Sequence, residues 1–161
     1  MKPKIGITDS NRLAVANELS KILADETILY LKTKNAHWNI EGEDFFEKYK
    51  FFKSQIEQLD EVIDSVAERI RSIGHYPQAT LQSYLSLTHL TEKVTVQNDS
   101  QVLIEQLLET HESIIVILRD KIKLFANDYL DLGSSDFITG LMESHELMAW
   151  FLRSHILKNK K

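Results

Sequence analysis

Three acidic residues in the first half of the chain have a spacing that would bring their side chains together on a helix. This acidic ladder consists of Asp60, Asp64 and Glu68, which an α-helix places one turn apart, at intervals of about 6 Å. Like charges at this spacing destabilise an isolated helix, and a bound cation would reverse that effect. The ladder therefore indicates either a metal site or, as is more usual, a solvated helix face whose charge Arg69 and Arg71 neutralise.

Composition limits what such a metal site would use. The chain of 161 residues has no cysteine, so a metal would depend on imidazole, carboxylate, phenol or water, which suits iron, manganese or zinc. Its size predicts a single domain over residues 1–161, with residues 1–8 and 158–161 as flexible tails. Because no secretory signal or membrane-spanning stretch is evident, we predict a cytoplasmic protein with no membrane partner.

The elements that must position the ladder are helices. Only five glycines and two prolines interrupt the sequence, and apolar residues recur at spacings of three and four, which predicts an all-α fold. We predict four long helices: the first from Thr8, Asp9 or Ser10 to about Trp38, the second from near Asp44 to Gly74, the third from Asn98 or Asp99 to a break at 127–133, and the fourth from Ser134 or Ser135.

The connections between these helices predict the topology. The first and third connections are short, whereas the second is long and contains a segment, QATLQSYLSL, that can form a short extra helix. Two antiparallel pairs joined by one long crossover form a ferritin-like four-helix bundle.

Several segments of the chain resemble the Dps family, also called miniferritins. They are HWNIEG followed by FFE, then DEVIDSVAERIRSIG with PQATL after it, and finally SHELMAWFLRS. The resemblance extends from Arg12 to Arg153. It implies a dodecameric cage, built on two-fold dimers, that oxidises ferrous iron, preferably with hydrogen peroxide, and stores ferric mineral.

The resemblance also implies which residues hold iron. The ligands of the family's oxidising centre correspond to His37, Asp64 and Glu68, and the family's tryptophan beside that centre corresponds to Trp38. Zinc is a competitor for such ligands. The family usually has a second histidine twelve residues after the first, and here that residue is Tyr49. A phenol is a poor ligand for ferrous iron, so we predict one tight and one weak iron position, with Tyr49 a doubtful ligand.

Acidic residues near the third connection have two interpretations. Asp128, Asp131 and Asp136 suit ordinary capping and turn chemistry. In the family, acidic residues at corresponding positions line a three-fold pore through which iron enters, which implies this role for Asp131 and Asp136 and, less directly, for Asp128.

Two histidines, His111 and His145, fall on or near apolar stripes, and we predict hydrogen-bonded core residues rather than ligands. The chain has no Glu-x-x-His pair at the bundle-core positions, so a metal site within each bundle is not expected.

The alternative function is a structural cage that coats DNA and whose oxidising site is vestigial. Weak DNA contact would come from the basic residues near the termini, whereas the net charge of -5 argues against binding over the whole surface. A four-helix signalling factor is disfavoured by the ladder and by the absence of disulfides. The terminal lysines are Lys2, Lys4, Lys158, Lys160 and Lys161.

Overall fold

The described residues, 3–93 and 98–156 of the computed structural model, form five α-helices and no β-strand. Four of the basic terminal residues, Lys2, Lys158, Lys160 and Lys161, lie outside these ranges. No helix within them is both long enough and apolar enough to cross a membrane. The all-α prediction is confirmed, including the short helix in the crossover. The helices are α1 (Asp9–Asn39), α2 (Phe45–Ser72), α3 (Leu81–Leu87), α4 (Ser100–Lys123) and α5 (Leu132–Ser154).

Side chains predicted as caps begin two of the long helices. The Thr8 hydroxyl accepts a hydrogen bond from the backbone N–H of Asn11 at 3.2 Å, at the start of α1. At the start of α4, the Asp99 carboxylate accepts from the N–H groups of Gln101 and Val102. Each cap satisfies amide groups that have no partner within the first helical turn.

A close approach of the chain start determines how α2 ends. After the last helical residue, Ser72, Gly74 has φ of +93°, in the left-handed region that favours glycine. A Cβ atom on Gly74 would lie 2.6 Å from Pro3 Cδ and 2.9 Å from Arg12 Nη1. The buried Arg12 donates a hydrogen bond to the Ile73 carbonyl at 2.9 Å. Glycine at this position therefore lets the beginning of α1 pack against the end of α2.

The fourth long helix begins earlier than predicted. We predict a start at Ser134 or Ser135, but α5 begins at Leu132, and Asp131 is its N-cap. The Asp131 carboxylate accepts hydrogen bonds from the Ser134 N–H at 2.9 Å and from the Ser134 hydroxyl at 2.6 Å. Arg69 Nη2 also donates to it at 3.2 Å. This anchored carboxylate is the stronger cap, so the helix starts before the serines.

The helices pack as two hairpins. The short connections make α1 antiparallel to α2 and α4 antiparallel to α5, while α3 lies against α1 within the crossover. After Lys123, α4 continues into a π-helical turn, Leu124–Asp128. Apolar residues from all four long helices fill the core, among them Leu19, Leu29, Phe52, Leu59, Ile104, Leu118 and Leu152.

A buried carboxylate holds the crossover against α1. Asp25 accepts hydrogen bonds from the Thr88 hydroxyl at 2.6 Å and the His89 N–H at 2.7 Å. Its other oxygen lies 2.9 Å from His89 Nδ1. These contacts satisfy a carboxylate that would be costly to bury without partners.

Candidate metal centre

His37 lies in the last turn of α1 with only 8% of its surface exposed. Its Nδ1 is 3.0 Å from the backbone carbonyl oxygen of Tyr49. Because a carbonyl can only accept, Nδ1 carries the proton and the lone pair of the neutral ring is on Nε2. A backbone contact from α2 therefore orients His37 as a nitrogen ligand, in the manner of metal-binding histidines whose second nitrogen is held by hydrogen bonding.

Tyr49 stacks beside the histidine that it orients. The two ring centroids are 4.0 Å apart with an interplanar angle of 31°, and the centroid of the Phe45 ring is 5.5 Å from that of the phenol ring. His37 donates this hydrogen bond to the backbone carbonyl of Tyr49, so the bond does not depend on the identity of the side chain at position 49. The phenol contributes packing against the imidazole.

A cavity of about 280 Å³ opens beside His37. Trp38, of which 68% is exposed, forms part of its wall. Lys34 also lines the cavity, and its Nζ lies 5.1 Å from the Tyr30 ring centroid and 5.6 Å from that of Trp38. Cation–π attraction to these two rings accounts for the position of Lys34. The cavity lining also includes Lys53, Ile56, Glu57 and Asp60.

The acidic ladder is exposed and uncompensated. Asp64 and Glu68 are exposed on α2 and are not part of the cavity wall at His37. The arginines that might neutralise the ladder have other partners, since Arg69 binds Asp131 and Arg71 lies over the Tyr76 ring. Within the described part of the single chain, no three histidine, aspartate or glutamate side chains are arranged to hold a metal ion.

The three aspartates considered for a pore differ in their surroundings. Asp131 is only 2% exposed, and its carboxylate is engaged by Ser134 and Arg69 as described above. In the single chain this carboxylate therefore acts as the N-cap of α5. Asp128 and Asp136 are exposed at the end of the π-helical turn and in the first turns of α5. For all three residues the pore role stays a prediction.

Comparisons with known proteins establish the family to which the chain belongs. The family model of the ferritin-like domain matches residues 16–161. A DNA protection during starvation protein of Helicobacter pylori is 32% identical over 86% of this chain and 95% of its own length. The chain belongs to the Dps family. An uncharacterised low temperature-induced protein of Nostoc sp. is 39% identical, over 94% of this chain and 85% of its own. The crystal structure of Dps from Vibrio cholerae matches with a TM-score of 0.87 at 26% identity, covering 96% of both chains.

This Dps chain also contains three ionisable side chains that are completely buried in its bundle. His145 Nε2 lies 2.9 Å from Glu26 Oε1, and His145 Nδ1 lies 2.9 Å from His111 Nδ1. All three residues have 0% exposure and come from α1, α4 and α5. With Nε2–H of His145 donating to the carboxylate, His111 Nδ1–H donates to His145. The prediction of hydrogen-bonded core histidines is confirmed.

Glu26, the third member of this buried triad, was not predicted from the sequence. A signal was present, because Glu26 falls between Ile22 and Leu29 on the apolar stripe of α1. An acid at such a position needs a buried partner. That partner, His145, is 119 residues away in the sequence, so local spacing could not identify it.

The triad predicts that the stability of this Dps subunit falls in acid. Burial lowers the pKa of His111 well below its ordinary value of 6.5, and the neighbouring His145 lowers it further. The unfolded chain therefore takes up this proton at a higher pH than the folded chain, so the free energy of unfolding decreases as pH falls below about 6.5. Urea unfolding at several pH values between about 7.5 and 5.5, at one protein concentration, measures this loss.

The His111→Gln variant provides the control for that dependence. The substitution removes the imidazole whose protonation destabilises the folded state. The free energy of unfolding of the variant should therefore change less steeply with pH than that of the wild type. Burial opposes ionisation of Glu18, but hydrogen bonds from Lys121 and Lys21 outweigh it and lower the pKa of this carboxyl from 4.5. Glu18 therefore does not titrate between about pH 5.5 and about 7.5. Equal slopes for the two proteins would contradict the assignment to His111.

Proposed function

We propose that the chain is a subunit of a hollow homo-oligomer, a dodecamer, that oxidises ferrous iron at sites between subunits and retains the ferric product as mineral. The observation that carries this proposal is the division of the ligands within one chain. His37 is oriented beside a cavity at one end of the α1–α2 hairpin, while Asp64 and Glu68 are exposed further along α2. Each chain supplies two halves of a site, and the halves do not meet.

Two subunits related by an antiparallel two-fold axis would bring the halves together. Tyr49, which contacts His37, precedes Asp64 on α2 by a distance of about 22 Å at 1.5 Å per residue. One metal ion cannot span this distance. In an antiparallel pair, the start of one α2 helix lies beside the middle of the other, so His37 faces Asp64 and Glu68 of the partner subunit.

Exposed apolar residues support assembly with further copies of the chain. Large apolar side chains on α1, α2 and α3 are exposed in the single chain, which is unusual for a protein that remains a monomer. A second subunit would remove them from water. They include Leu13, Leu31, Trp38, Phe45, Phe46, Leu81 and Leu85.

The donor set suits ferrous iron as substrate. One imidazole and two carboxylates are ligands that iron accepts, and zinc would compete for them.

Hydrogen peroxide is the proposed oxidant, because each molecule accepts one electron from each of two ferrous ions. Trp38 lines the same cavity as His37 and is proposed to cover the iron site. Asp136 and Asp128 are proposed to attract ferrous ions toward an entry pore.

This chemistry also accounts for protection of DNA without DNA contact. The Helicobacter pylori relative is described as a DNA protection during starvation protein. Consumption of ferrous iron together with peroxide removes the reagents that generate hydroxyl radical. We propose that this occurs in the cytoplasm.

Ferrous iron uptake by the purified assembly tests the proposal. Addition of ferrous iron and then hydrogen peroxide, without air, should produce ferric absorbance that elutes with the protein during size-exclusion chromatography. Ferric product that precipitates apart from the protein, at the rate seen with albumin, would count against the proposed function.

A further inference from the structure

The cavity beside His37 is lined by positive charge, which is unexpected at a site that binds a cation. Two ammonium groups, those of Lys34 and Lys53, line the same cavity as the histidine ligand. Positive charge close to an iron ligand opposes the binding of ferrous iron. These lysines therefore call for a physical explanation.

The position of Lys34 is explained within the chain, whereas that of Lys53 is not. Lys34 lies between two aromatic rings on α1, as described above. Lys53 is exposed one helical turn after Tyr49, and among the described residues it makes no hydrogen bond and no ion pair. No ion pair joins Lys53 to Glu57 or Asp60, the carboxylates that share its cavity.

The proposed subunit pairing supplies carboxylates for Lys53. We take Tyr49 on one α2 helix to be level with the point between Asp64 and Glu68 of the partner subunit, and extend this antiparallel register along both helices. Lys53 follows Tyr49 by four residues. Because the helices are antiparallel, Lys53 is level with the point that precedes the first one by four residues on the partner's α2 helix. That point lies between Asp60 and Asp64 of the partner subunit.

We propose that the Lys53 ammonium occupies the place of a second metal ion, so that each site binds one ferrous ion tightly and the second ferrous ion that reduction of one peroxide molecule requires binds there only weakly. This inference rests on the proposed function, because it assumes the inter-subunit site. The lysine reduces repulsion along the ladder of the partner subunit as a bound cation would. Tyr49 is consistent with this arrangement, since its phenol stacks on His37 and a neutral phenol is a poor ligand for ferrous iron. Lys53 is therefore the residue that determines the iron stoichiometry.

Anaerobic titration of the assembled protein with ferrous iron tests this inference. The wild type should bind one ion per site, whereas Lys53→Met should bind a second ion at least tenfold more tightly than the wild type does. Lys53→Gln, which also removes the charge and leaves a polar side chain, should behave in the same way. The matched control is Lys50→Met, which removes a lysine on the same helix that lies over the Phe46 ring and outside the cavity. That control should still bind one ion.

The outcomes separate this inference from the proposed function. Unchanged binding of one ion in both Lys53 variants, or two ions of similar affinity in the wild type, would overturn the role of Lys53 and leave the inter-subunit site intact. If the wild type binds no iron, or if Asp64→Ala binds as much iron as the wild type, the proposed function fails. This inference then fails with it.

Discussion

Replacing Asp64 and Glu68 with alanine together is expected to slow peroxide-driven oxidation of ferrous iron by about 100-fold or more. Loss of residues that only orient metal ligands costs about 10- to 100-fold, and these two carboxylates are proposed as the ligands themselves. Both are exposed on α2 and have no ion-pair partner among the described residues. Their removal should therefore leave the fold and the assembly unchanged, which light scattering can check.

A charge-matched variant separates loss of ligands from loss of negative charge. Glu47→Ala with Glu61→Ala also removes two exposed carboxylates from α2 but leaves the acidic ladder intact. Its oxidation rate, measured as ferric absorbance after peroxide addition, should stay close to that of the wild type. Equal rates in the wild type and in the variant without Asp64 and Glu68 would mean that oxidation occurs elsewhere or is uncatalysed.

Glu26→Ala is expected to lower the free energy of unfolding by about 3–5 kcal/mol, because it leaves a buried hydrogen-bond donor without an acceptor and a cavity in the core. His145 would keep a buried N–H donor with no acceptor, and the truncated side chain would leave a cavity among α1, α4 and α5. A loss of this size is a large part of the stability of an ordinary domain. Urea unfolding monitored by circular dichroism measures it.

Two further variants make the Glu26 result interpretable. Glu26→Gln keeps an oxygen that can accept from His145 and nearly the same volume, so its loss should be clearly smaller than that of Glu26→Ala. Glu112→Ala breaks an exposed contact with Arg153 at 2.7 Å and should cost about 1 kcal/mol or less. If Glu26→Ala is no more harmful than Glu112→Ala, the buried triad does not stabilise the bundle.

Local chemistry explains why much of the fold could be predicted from sequence. Thr8 and Asp99 act as caps through their own side chains and the next few amides, so the starts of α1 and α4 follow from short-range contacts. The start of α5 could not be placed in this way. Asp131 is held as its cap partly by Arg69, which is 62 residues away in the sequence.

The candidate site shows the same limit more strongly. The predicted site combines His37 of one chain with Asp64 and Glu68 of another. Residue spacing within one chain indicates only that His37 lies far from the two carboxylates. The orientation of His37 depends on the backbone oxygen of Tyr49, which no pattern of side chains can reveal. The buried contact of Glu26 with His145 likewise depends on how α1 and α5 pack.

Subunit mixing tests the central claim, a site shared between two chains, most directly. One variant carries His37→Ala and the other carries Asp64→Ala with Glu68→Ala, and each alone should be nearly inactive. When the two are co-expressed in equal amounts and pair at random, half of the dimers contain one of each, and one of the two sites in such a dimer is intact. Ferric absorbance after peroxide addition should therefore recover to about one quarter of the wild-type rate. A mixed assembly no more active than either variant alone would contradict a site shared between subunits.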